Sequence, residues 1–154
     1  MRLHLCFSLL VLAAVSASAT SADGAMPPAG DARTPITLTT VERDYVLAGM
    51  REHVVQVQEI VDALAANDRE RARAAALQAG SRHFAELTDH PPGLAGKWPE
   101  AWKLMLRARL QGFDALAKGI QDGESQPQTL QRLSAAMQTC TACHAAFRLA
   151  SVDK

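Results

Sequence analysis

Aromatic residues are scarce in this 154-residue chain, at 5% of the sequence. So few rings leave little surface on which bases or sugars can stack, and any core must be filled mainly by aliphatic and alanine side chains. Net charge is also missing, because sixteen Lys plus Arg stand against sixteen Asp plus Glu. A molecule without a field of one sign cannot hold a polyanion by counterion release, which argues against nucleic acid as a partner. No apolar run reaches the about 20 residues that span a bilayer, and no stretch alternates apolar and polar residues strictly enough to argue for a strand. What is present, 48% apolar and 21% charged residues, is the composition of one soluble globular domain.

The N-terminus reads as an address. Arg2 precedes the apolar run 5–15, and Ala17-Ser18-Ala19 follows it, the order of a secretory signal with its small-residue cleavage site. A transmembrane anchor is the competing reading, but the run is too short. A lipoprotein signal would carry its Cys after the run, whereas Cys6 lies near its start. We therefore expect a cleaved signal peptide over 1–19, export to the periplasm and no membrane anchor. Cleavage takes Cys6 with it and leaves Cys140 and Cys143. Residues 20–38, rich in Gly, Pro and small side chains without a hydrophobic period, read as a flexible leader ahead of a folded domain over 39–154.

Four helical segments follow, and the expected class is all-α. Over 40–66, Leu47, Met50, Val54, Val57, Val61 and Leu64 alternate at spacings of 3 and 4, a heptad seam. Asn67 with Glu70 offers a capping box for an alanine-rich second segment that Pro91-Pro92-Gly93 ends. The third, from about Trp98 to Gly123, carries Trp102, Leu106, Leu110, Phe113, Leu116 and Ile120 on one side. Ser125 with Gln128 caps the fourth, where Pro127 sits in the first turn at no cost. There Leu130, Leu133, Met137, Cys140, His144 and Phe147 again alternate at 3 and 4. Four amphipathic segments on short links imply an antiparallel up-down-up-down four-helix bundle.

Cys140-Thr141-Ala142-Cys143-His144 is C-x-x-C-H, the pattern of covalent c-type haem attachment. On a helix Cys140 and His144 share a face at i and i+4, and Cys143 lies about 60° short of a full turn from Cys140. Two thiols then reach the two vinyl groups of one porphyrin while the imidazole points at the iron. Three other readings compete. A thioredoxin-like pair normally opens a helix in a βαβ setting. A disulfide between residues three apart closes a tiny loop and stabilises little. A zinc site needs a fourth ligand, and there is no second C-x-x-C or H-x₃-H.

The chain resembles the cytochrome c′-type, or class II, c-type cytochromes. Most c-type cytochromes carry the attachment motif near the N-terminus, but here Cys140-Thr141-Ala142-Cys143-His144-Ala145-Ala146-Phe147-Arg148 stands almost at the end, with an aromatic and a basic residue after the His. The resemblance covers about 41–148. It implies one covalent haem c, thioether links to Cys140 and Cys143, and His144 as the proximal iron ligand. It also implies that Arg148, at i+4, tunes that ligand, the alternative being a solvated charge that complements the helix dipole. Arg43-Asp44-Tyr45-Val46-Leu47-Ala48-Gly49-Met50 looks like the family's first-helix segment, which crosses the distal haem face and puts Met50 at the sixth position. Antiparallel helices would bring Met50 and His144, both on seams, to similar depth.

Met50 otherwise reads as a core filler, and His53, one turn later and beside the seam, is the other distal ligand to consider. His83 and His90 read as surface or loop residues. Gly49, costly in mid-helix, either admits the macrocycle or marks a helix–helix contact. Arg109 either pairs with a haem propionate or snorkels outward while Leu110 takes the inward place. A thioether ligand would give a low-spin electron-transfer centre. The resemblance thus implies a soluble periplasmic monohaem electron carrier, not an enzyme, with unidentified redox partners. An open distal site would instead bind nitric oxide or carbon monoxide, as five-coordinate members do, and family members are often homodimers. A haem-free helical protein using Cys140 and Cys143 as a thiol pair or metal clip is the rival from another class.

Overall fold

Thr39 opens the first helix with a reciprocal cap. Its hydroxyl accepts from the Glu42 backbone N–H at 3.3 Å, and its own N–H donates to Glu42 Oε2 at 2.8 Å, so two otherwise orphaned donors are satisfied. Lys97 Nζ adds a 2.6 Å ion pair to the same buried carboxylate, which holds Glu42 below the usual carboxylate range. The computed structural model describes residues 30–87 and 89–152. The signal peptide expected over 1–19 and the leader up to residue 29 lie outside the described residues.

Helix α1 spans Thr40–Ala65. Asn67 then takes a left-handed φ of 55°, which Asn tolerates better than most residues, and Asp68 caps α2, Arg69–Gln78, by accepting from the Arg71 N–H at 3.0 Å. The cap is therefore Asp68, one residue beyond the expected Asn67. The second segment also breaks early, at Ala79-Gly80, into a separate short helix α3, Ser81–Glu86. A 3₁₀ turn over Leu94–Lys97 leads into α4, Glu100–Gln121, and α5 spans Gln126–Ala146. Ser125 caps α5 as expected, its N–H and hydroxyl both donating to Gln128 Oε1 at 2.9 and 2.7 Å.

The helical class holds, but two strands qualify it. Thr34–Leu38 (β1) pairs in parallel with Phe147–Ser151 (β2), Thr34 opposite Phe147 and Leu38 opposite Ser151. Five residues read from the sequence as leader are thus an ordered strand, and the folded unit starts at Ala32 rather than at residue 39. Two short strands carry too few residues for a period-2 signal, and each finds its strand partner at the other end of the chain.

The core is in two parts. Ile60, Ala63 and Leu64 of α1 pack with Ala72, Ala75 and Ala76 of α2, Phe113, Leu116 and Ile120 of α4, and Leu133 and Ala136 of α5. A second cluster joins Ile36 and Leu38 of β1 to Leu94, Tyr45, Val46, Trp98, Trp102, Phe147 and Leu149. Helix α4 packs on α5 and on α2, and α2 on α1, while α1 and α5 share no extensive contact. Their expected seams accordingly do not close along their length: Val54 is 69% exposed, Val61 43%, Leu130 46% and Met137 40%. No described helix is long and apolar enough to cross a membrane.

Candidate functional site

Three helices pass from one apolar cluster to the other, and between the clusters each changes character. Along α1 the stretch from Val46 to Val57 carries half-buried Met50 and His53; along α4, between Trp102 and Phe113, lies Arg109; along α5, between Ala136 and Phe147, lie Cys140, Cys143 and His144. The residues with the most chemistry therefore share one level of the fold.

A cavity of about 270 Å³ opens there, with Met50 and Leu47 on α1, Cys143 and His144 on α5, Trp102 on α4, Ile36 on β1, and Phe147 and Leu149 on β2 in its wall. Arg33, Arg43 and Arg148 complete the lining, which contains no carboxylate. Trp98 stacks on Trp102, with ring centroids 4.0 Å apart and planes inclined by 11°, so this apolar wall is backed by a second ring. The strand pair braces the same region. Helix α5 ends at Ala146 and β2 begins at the next residue, and Arg33 Nη1 donates to the His144 carbonyl at 3.4 Å.

Of the residues singled out in the sequence, Met50, Cys143, His144 and Arg148 line the cavity. Cys140 and Cys143 are half-buried free thiols, and burial, with Cys140 alongside, pushes the Cys143 thiol up. Arg148 stands on β2 rather than on α5, so its relation to His144 is not the helical i+4 one. Arg109 does not snorkel: it and Leu110 are both buried, at 8% and 7% exposed, and Arg109 is not in the cavity wall. Burial lowers its pKa, and Cys140 and Cys143 act on it in the opposite sense. A buried donor left unpaired costs about 1–3 kcal/mol, and more when charged, yet Arg109 Nη1 and Nη2 make no hydrogen bond among the described residues.

His53 also stays out of the wall, its Nδ1 bonded to Gln56 Oε1 at 2.9 Å. Burial first, and Arg109 second, lower its pKa. His83 stands on α3 with Nε2 3.9 Å from Glu52 Oε1, and His90 is exposed. A Cβ added at Gly49 would meet nothing within 4 Å, so this glycine does not mark a close helix–helix contact. The sequence reading missed Arg33, Arg43 and Ile36 as lining residues. Arg33 and Ile36 lie just ahead of the first helix and Arg43 in its first turns, and nothing local in the sequence marks them as lining residues.

Comparison with protein-family models, with curated proteins and with solved structures finds no match. Among the described residues no three His, Cys, Asp or Glu side chains gather as a bare metal ion would need.

Proposed function

We propose that the protein is an exported, soluble monohaem c-type cytochrome of the class II type, an electron carrier on an antiparallel up-down-up-down four-helix bundle. One observation carries this reading: Met50, Cys143 and His144, from opposite ends of the sequence, line a single cavity. The donor set fits the group. Two neighbouring thiols suit two vinyl groups, an imidazole and a thioether suit iron, and the apolar wall suits a porphyrin face. The three arginines suit the haem's two carboxylates, for which guanidinium groups are strong partners.

The haem, when bound, supplies a one-electron couple at its iron. Cys140 and Cys143 anchor it as thioethers, His144 is the proximal ligand and Met50 the distal one. Ile36, Leu47, Trp102, Phe147 and Leu149 keep water from the ring. Arg33, Arg43 and Arg148 hold its carboxylates at the rim, a role the sequence offered to Arg109, and Arg148 stands on the wall beside His144, where it can tune that ligand. The reading places the protein in the periplasm, with redox proteins as partners and no substrate turnover.

The mass of the exported, acid-denatured protein tests it. One haem retained by the chain, and lost from a Cys140→Ser, Cys143→Ser double variant, supports attachment. A wild-type chain at the mass of its bare polypeptide, with two alkylatable thiols, contradicts it and leaves the thiol-pair reading.

A further inference from the structure

Arg109 presents a problem that the haem reading does not by itself solve. It is nine-tenths buried on α4 beside Leu110 and one turn before Phe113, and its two terminal nitrogens are enclosed without a hydrogen-bond partner among the described residues. The groups that bear on it electrostatically are Cys140 and Cys143, and it bears in turn on His53. The nearby carboxylate of the His53 network, Glu52, is directed elsewhere: it accepts from Gln56 Nε2 at 3.4 Å and faces His83 at 3.9 Å. A guanidinium does not lose its proton in a protein, so a permanent cation sits in the interior where α4 packs on α5, three residues before the Gly112–Ala136 approach and within electrostatic range of both attachment cysteines.

A haem carboxylate is not its natural partner. A haem carries its two vinyl groups and its two carboxylates on opposite edges, so a side chain that feels both thioether anchors and stands outside the arginine-lined wall lies nearer the vinyl edge. The carboxylates fall to the arginines of the cavity wall. What remains for Arg109 is the charge of the iron itself, which drops by one on reduction. A fixed buried cation stabilises the less positive of two neighbouring states, and screening by salt weakens this little when the pair is buried.

Resting on the haem reading, we infer that Arg109 is a built-in electrostatic tuning residue that raises the reduction potential of the haem bound at Cys140 and Cys143 by favouring its ferrous state. It acts through charge at the vinyl edge and coordinates nothing. This is a second level of control, separate from the identity of the distal ligand.

Optical redox titration of the haem-loaded wild type, Arg109→Gln and Arg109→Lys tests the inference. At a fixed potential Arg109→Gln should shift the ferrous-to-ferric ratio about tenfold toward ferric, a fall of about 59 mV for a one-electron couple, in low and in high salt alike. Arg109→Lys, which keeps the charge, should retain most of the wild-type value. An unchanged midpoint in Arg109→Gln overturns the inference, and so does an equal fall in Arg109→Lys, because shape and not charge would then be responsible. Should Arg109→Gln not accumulate, Arg109→Met removes the charge, keeps an apolar filler in the interior and gives the same comparison. Failure of the haem reading is separately visible, since the wild type would then carry no covalent haem to titrate.

Discussion

Met50 of α1 and His144 of α5 line the same cavity, one nearly three turns into the first helix and the other two residues before the last helix ends. Every other residue of the site takes its meaning from that pairing. Apolar clusters lie on both sides of it along the helices, and the strand pair braces the end at which α5 stops.

Replacing Met50 with Ala should remove the sixth ligand and leave the covalent haem in place. The reduced spectrum should change from sharp, split bands to a single broad one, and carbon monoxide should bind where it did not before. Identical spectra for wild type and Met50→Ala would rule out Met50 as a ligand.

Ile36, 2% exposed on β1, ties the N-terminal strand to the cavity wall and to the second apolar cluster. Ile36→Ala should cost about 2–5 kcal/mol in denaturant unfolding, as truncation of a buried aliphatic side chain does. A loss below 1 kcal/mol would mean that β1 is a loosely attached leader after all.

How much of this was legible in the sequence follows from the range over which each signal acts. The three long helices α1, α4 and α5 announced themselves through caps and apolar spacing, which are local, and Cys140, Cys143 and His144 through one contiguous motif, whereas the alanine-rich second segment was read as one helix and is two short ones. The β1–β2 pair was not legible, because Thr34–Leu38 becomes a strand only by meeting Phe147–Ser151 at the other end of the chain. Arg33 was hidden for the same reason. The seams misled in part: Val54 and Met137 keep heptad spacing yet lie exposed, since α1 and α5 do not close on each other. For Arg109 the sequence left two readings open, inward toward a haem propionate or outward beside Leu110, and burial removes the outward one; neighbouring helix positions alone do not say which of the two turns inward.

Close approach of α4 and α5 depends on Gly112. A Cβ there would lie 3.0 Å from the Ala136 Cβ and 3.2 Å from its Cα, too near for a helix backbone to yield cheaply. Gly112→Ala should therefore lose about 1–3 kcal/mol by overpacking, against the about 0.5–1 kcal/mol that replacing a mid-helix Gly normally gains. A stabilised variant, measured by urea unfolding, would show that the two helices are farther apart.

His53 should make the protein acid-sensitive. Its folded-state pKa is lowered, by burial and then by Arg109, so in mildly acid solution the unfolded chain binds a proton that the folded one resists. Stability should be flat above the ordinary His pKa of about 6.5 and should fall as pH drops below it toward the lowered value. His53→Gln should remove that slope between about pH 6.5 and 5, before carboxylates titrate. Parallel stability curves for the two proteins would assign the slope to another group.

The central claim is that one covalent haem sits between His144 and Met50, and the visible spectrum of the exported protein, oxidised and then reduced with dithionite, tests it most directly. Sharp, split bands on reduction, the mark of six-coordinate low-spin iron, are the expected result. A single broad band would contradict Met50 ligation and make the protein a five-coordinate gas binder, and a colourless protein would contradict the haem site altogether.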